Sequence, residues 1–155
     1  MTELPDLSLL LPHQAPMILI QKLIQVNESS VHCQVKIDAN NLFFDGQLAA
    51  VPSWVGIEFL AQTISAWAGY HAYLENRTPP VGFLLGSRRY KTNCDVFAEN
   101  MLLDLYAEQL MENEGMSAFA CRIECRGKEL ITAQVNVFVP PPEQLEKILK
   151  GKHNA

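Results

Sequence analysis

Between Pro52 and the Pro79-Pro80 pair lie 21 residues, Trp54 to Leu74, with no proline and a single charged side chain, Glu58. As one helix this segment is about 31 Å long. Apolar residues occupy nearly every direction around it, so it has no wet face and must be buried on most sides. Any fold open to this chain has to wrap something around that rod.

The wrapping material is legible on both sides of the helix. Residues 17–26 are a β-branched apolar run closed by the turn Asn27-Glu-Ser-Ser. From Val31 to Ile37, Val31, Cys33, Val35 and Ile37 alternate with His32, Gln34 and Lys36, the pattern of a half-buried strand. After the helix, Val81–Tyr90 and Met101–Leu110 read as strands. Phe119, Cys121, Ile123 and Cys125 then share one face, as do Ile131, Ala133, Val135, Val137 and Val139. Glu112-Asn-Glu-Gly115 and Arg126-Gly127-Lys128 have hairpin-turn chemistry. Strands, one long apolar helix and then an antiparallel meander predict an α+β chain in which one curved antiparallel sheet wraps the central helix. That is the hot-dog architecture. One sheet of this size covers only part of such a helix, so a dimer is expected. The 155 residues make a single domain, with a core over about 10–139 and a tail over 140–155 that is amphipathic at 143–150.

Composition narrows the function classes. A net charge of −5 opposes general nucleic-acid binding, which needs a basic surface. The opening Met1-Thr-Glu-Leu-Pro-Asp carries two acids and no basic cluster, unlike a signal peptide. No apolar run reaches the roughly 18–20 residues of a membrane span, and a cytoplasmic protein is expected. Cys33, Cys121 and Cys125 fall on apolar strand faces and Cys94 in a loop. No His/Cys/Asp cluster has ligand spacing, so no metal is implied.

Glu58 is the residue most in need of a reason, because buried acids are rare unless paired. If Ser53 caps the helix, the capping-box position is Gly56, and Glu58 lies too deep for that task. Glu58, Gln62, Ser65 and Gly69 fall on one narrow stripe. Gln62 either orients Glu58 or satisfies a buried backbone group, while Ser65 and Gly69 suit close packing. Trp54 and Phe59 either wall an acyl or aryl tunnel or belong to the core. Arg88, Arg89 and Lys91 are either a strand end in water or a landing patch for an acidic partner. His32 alternates outward, His71 lies late on the helix, and His153 is in the tail.

Two motifs carry a family resemblance. Phe43-Phe-Asp-Gly46, followed by Val51-Pro-Ser-Trp-Val-Gly-Ile-Glu58-Phe-Leu-Ala-Gln62, resembles the core motif of the β-hydroxyacyl-acyl-carrier-protein dehydratases. So does Leu10-Leu-Pro-His13-Gln-Ala-Pro-Met17. The likeness runs from Leu10 to about Val139. Trp54-Val-Gly-Ile-Glu58 and Gly82-Phe-Leu-Leu-Gly86-Ser-Arg-Arg89 point to a small dehydratase-like branch of aryl-polyene and type II fatty-acid-like pathways.

The resemblance implies a hot-dog dimer with sites at the subunit interface. It also implies a 3-hydroxyacyl thioester held on the phosphopantetheine of an acyl carrier protein, and no other cofactor. By position Glu58 matches the family's acid, and Pro52-Ser53 matches the step whose N–H polarises the thioester carbonyl. One departure is plain. The family's histidine base follows Phe-Phe-x-Gly, where this chain has Gln47, and glutamine cannot take a proton from carbon at a useful rate. Three outcomes follow. His13 replaces the base, Glu58 acts alone, or the chain is a non-catalytic subunit supporting an active hot-dog partner. Thioester hydrolysis is the remaining alternative on the same fold.

Overall fold

The computed structural model describes residues 4–140; the tail expected at 143–150, with His153, lies outside them. The element order is a short helix α1 (Leu7–Leu10), strands β1 (Lys22–Val26), β2 (Ser30–Lys36) and β3 (Ala50–Pro52), and the long helix α2 (Gly56–Leu74). Then come β4 (Phe83–Thr92), β5 (Val96–Ala98), β6 (Leu102–Asn113), β7 (Met116–Cys125) and β8 (Lys128–Phe138). Six strands form one sheet in the order β1-β2-β6-β7-β8-β4, with every neighbouring pair antiparallel. Helix α2 packs on its inner face against β1, β2, β6, β7 and β8. The expected hot-dog arrangement is what the chain adopts.

Period-two alternation decides which residues meet the helix. Val31, Cys33 and Val35 from β2, Leu103 and Leu105 from β6, Phe119 and Ile123 from β7, and Ile131 and Val135 from β8 are all buried. They close around Phe59, Leu60, Ile64 and Ala66 of α2. Register holds each row in place, as in Cys33 opposite Leu105 and Cys121 opposite Ala133. Only Tyr73 and Leu74, at the end of α2, are exposed.

Four features depart from the sequence expectations. The apolar run at 17–26 becomes a strand only from Lys22, because Met17–Leu19 are bound by a helix side chain rather than by a neighbouring strand. Ser53–Val55 form a 3-10 turn, so α2 begins at Gly56, two residues after the expected Trp54. A two-stranded ladder, β3 with β5, joins Val51 to Phe97 on the approach to the helix; strands of three residues leave no periodic signal. Helix α1 is equally short, with Asp6 capping the Ser8 N–H.

Helix α1 explains Gly69. A Cβ at that position would land on the Leu10 carbonyl, so the close approach of α1 to α2 requires glycine. Glycine to alanine inside a helix ordinarily stabilises by about 1 kcal/mol. Here the sign reverses. Gly69→Ala is expected to destabilise by about 1–3 kcal/mol through overpacking, read as a lower urea midpoint.

Burial also sets an alkaline limit on stability. It pushes the Cys33 and Cys121 thiols up to about 12. Below pH 9 both thiols are protonated, folded or unfolded. Above pH 9 the unfolded chain releases those protons while the fold retains them, so stability falls as pH rises from 9 towards 12. Urea midpoints between pH 7 and 11 should decline above 9, and less steeply in Cys33→Val/Cys121→Val.

Candidate active site

The first turn of α2 carries Glu58. The 3-10 turn before it is pinned from outside. Ser53 N–H donates to the Asp95 carbonyl at 3.0 Å, extending the β3–β5 ladder by one bond. The Ser53 carbonyl accepts the Tyr90 hydroxyl at 3.0 Å. This corrects the expectation that Ser53 offers its amide to a thioester, because that N–H is already committed to Asp95.

The small-residue stripe of α2 divides into two flanks. Gln62 is 1% exposed and turns away from Glu58. Its Oε1 accepts the Leu19 N–H at 2.8 Å, and its Nε2 donates to the Met17 carbonyl at 2.7 Å. Of the two tasks open to Gln62, satisfying buried backbone is the one the structure displays. Gln62 and Gly69 therefore form the flank that binds the amino-terminal segment. On the other flank Glu58, Ala61, Ser65 and Ala68, a few residues apart at helical spacing, line a cavity of about 390 Å³, with Ile64 beside them. Its remaining walls are Pro12 and His13, the segment Pro80–Gly82 with Leu84, and Val137 and Val139 of the β8 end.

His13 and Glu58, the two residues singled out for proton transfer, thus line one cavity. His13 sits on the strap between Leu10, packed on Gly69, and Met17–Leu19, bonded to Gln62. Its Nδ1 is buried and has no hydrogen-bond partner. A buried polar atom without a partner is costly in a fold, and this one belongs to a residue lining an open cavity. Both side chains are half-buried.

The other expected site residues lie elsewhere. Phe59 is fully buried against Phe97 and is core, not tunnel wall. Trp54 is 60% exposed, with its ring edge-on to Phe43, outside the cavity. Arg88 and Arg89 are exposed on β4 and do not line the cavity. Arg89 instead borders a separate groove with Lys91 and Arg122. Arg88 faces outward opposite Gln134, and Arg89 stands at a break in the register between Arg88 and Lys91. Gln47 lies exposed on a loop closed by Asp45, whose carboxylate accepts the Gln47 and Leu48 N–H groups.

His32 is not free in solvent. It pairs with Asp104 at 2.7 Å and stacks on Tyr106. His71 donates from Nε2 to the Asn27 carbonyl at 3.1 Å. Among the described residues no group of three or more His, Cys, Asp or Glu gathers as metal ligands, and no helix is long and apolar enough to cross a membrane. The cavity walls at 80–84 and 137–139 were not foreseen as a site. Residues 82–84 stand out in the sequence only as part of a family motif, and 137–139 only by the apolar alternation that marks any strand.

Comparison with known proteins gives this cavity a context. The ApeP-like family model, described as ApeP dehydratase, matches residues 5–150. The 3-hydroxyacyl-[acyl-carrier-protein] dehydratase FabZ of Acinetobacter baylyi is 30% identical over 133 residues, covering 82% of this chain and 87% of that one. The FabZ of Acinetobacter baumannii is 27% identical over 140 residues, covering 86% and 93%. Among solved structures, a chain of the dehydratase heterocomplex ApeI:P from Xenorhabdus doucetiae superposes with a TM-score of 0.87 at 30% identity, covering 95% of this chain and 99% of that one. A hypothetical thioesterase from Streptococcus pneumoniae with coenzyme A shares the fold alone, at a TM-score of 0.60 and 11% identity, over 76% of this chain and 86% of its own.

Gln62→Leu keeps the volume of the side chain but leaves the Leu19 N–H and Met17 carbonyl unpaired. The expected cost is about 2–5 kcal/mol, read from urea denaturation. Protease cleavage within residues 11–21 should appear before global unfolding. A variant with the wild-type midpoint and an uncut strap would show that these bonds do not hold the segment.

Proposed function

The chain belongs to the ApeP-like dehydratase family, and from that premise we propose that it removes water from a 3-hydroxyacyl thioester carried by an acyl carrier protein. The observation that carries the proposal is the shared cavity. A histidine and a helix carboxyl group line one space, and the rest of its lining is mostly apolar. A volume of about 390 Å³ is within the range of small-ligand pockets. The substrate would arrive on the carrier's phosphopantetheine, so the reaction calls for no resident cofactor.

In this reading His13 takes a proton from C2 of the acyl chain, and the electrons form the C2–C3 double bond. Glu58 gives its proton to the C3 hydroxyl as that C–O bond breaks, and water departs from the trans-2-enoyl thioester. Negative charge gathers on the thioester oxygen during the first step and is best stabilised by N–H groups at a helix start. The Ser53 N–H, bonded to Asp95, is not one of them. Proton transfer by positioned groups of this kind is worth about 10²–10⁴-fold in rate.

A second reading rests on Gln47, which stands where the resemblance places a base. There the chain works beside another hot-dog subunit that supplies the histidine. Strand β4 supports a partnership of either kind. It is one of the two edges of the sheet, with Leu84 and Leu85 exposed, and unpaired edges invite a second strand. A homodimer or a heterodimer would cover it. The carrier's acidic surface suits the exposed Arg88, Arg89 and Lys91. A cytoplasmic location belongs to the same proposal.

Glu58→Gln preserves shape and removes the proton, so turnover of a 3-hydroxyacyl carrier substrate should fall at least about 10²-fold. Mass spectrometry should find the wild-type product as an enoyl chain still on its carrier, not as a free acid. His13→Ala separates the two readings. A comparable loss assigns the base to this chain, and full activity alongside a hot-dog partner assigns it to that partner. Wild-type turnover in Glu58→Gln would reject the proposal.

A further inference from the structure

Strand β4 does not keep a regular alternation. Between Arg88 and Lys91 its register against β8 slips, and Arg89 has a φ of 55°, in the left-handed region. A bulge of this kind re-aims the side chains beside it. Here it delivers Tyr90 to the inner face, where the ring packs against the core and its hydroxyl donates to the Ser53 carbonyl at 3.0 Å. Burial pushes the Tyr90 phenol up to about 12, so it stays a neutral donor through the ordinary pH range.

That hydrogen bond falls on the residue that governs how α2 begins. The Ser53 carbonyl also receives the Gly56 N–H, and the Ser53 N–H is held by Asp95. Gly56 lies so close to the sheet that a Cβ there would stand 2.8 Å from Ile131 Cδ1 and 3.0 Å from the Tyr90 hydroxyl. The turn is therefore gripped by strand, phenol and sheet on different sides. Two residues further on stands Glu58.

We propose that Tyr90 is a positioning residue for Glu58: its hydroxyl fixes the Ser53–Gly56 turn and so sets where the carboxyl group enters the cavity. The inference rests on the reading of Glu58 as the proton donor. It adds a residue that touches neither substrate nor carboxyl group and acts through the helix start. The bulge at Arg89 then has a purpose: a first slip between Leu84 and Gly86 leaves Arg88 facing outward opposite Gln134, and alternation counted on from Arg88 would aim Tyr90 outward too.

Tyr90→Phe tests the proposal in the assembly that turns over a 3-hydroxyacyl carrier substrate, with Glu58→Gln and the double variant beside it. Misplacement of a reacting group by a fraction of an ångström is expected to lower kcat about tenfold. KM should stay within about twofold, because cavity contacts are unchanged. The urea midpoint should hardly move, since Gly56 N–H still serves the Ser53 carbonyl. The limb of the kcat–pH profile that vanishes in Glu58→Gln should be displaced. In the Glu58→Gln background, Tyr90→Phe should leave the residual rate unchanged. Wild-type kcat in Tyr90→Phe overturns the inference while leaving Glu58 as the donor. So does a loss of activity that follows loss of fold, or one confined to KM. Wild-type turnover in Glu58→Gln overturns the underlying reading and the inference with it.

Discussion

The side-chain amide of Gln62 makes two hydrogen bonds to a stretch of backbone that no strand accompanies, and the site depends on them. Residues 11–21 cross the helix as a strap without regular structure, and their buried N–H and carbonyl groups need partners. Gln62 supplies a donor and an acceptor to Met17 and Leu19 from inside the helix. At the other end of the strap, Gly69 lets Leu10 lie directly on α2. His13 is suspended between these anchors and meets the cavity that Glu58 enters from the helix.

Seen this way, the helix does two tasks at once. One flank holds the strap through Gln62 and Gly69, and the adjacent flank stays small with Ala61, Ser65 and Ala68 so that space remains beside Glu58. Leu and Phe fill the directions that face the sheet. A chain with larger residues at 61, 65 and 68 would fold equally well around this helix and would have no room there for an acyl chain.

Much of the architecture was legible because burial imposes a period. The strands β2, β7 and β8 alternate so regularly that their inner faces follow from hydrophobicity alone, and a helix with one charge in 21 residues has to lie inside a sheet. Glu58 stood out as a polar group where the pattern asks for none, and His13 only through a motif shared with a known family. What stayed hidden depends on contacts distant in the chain. Gln62 was ambiguous because nothing near it in sequence reveals the strap 43–45 residues away. Ser53 lost its expected part to Asp95 across a ladder only three residues long. Of the two settings open to Phe59 and Trp54, Phe59 took the core and Trp54 neither, lying exposed on the 3-10 turn before the helix. Tyr90 was invisible because a bulge breaks the very alternation from which facing is read.

The central claim is that one substrate lies between His13 and Glu58. Its most direct test is a crystal structure with a non-reactive 3-hydroxyacyl-pantetheine analogue, in which the distances from C2 to His13 and from the C3 oxygen to Glu58 are measured. The account predicts the acyl chain in the cavity along Ala61, Ser65 and Ala68, with C2 beside the imidazole and the C3 oxygen within hydrogen-bond reach of the carboxyl group. A chain bound outside that cavity, or with C2 against a histidine of another subunit and His13 out of reach, would contradict it.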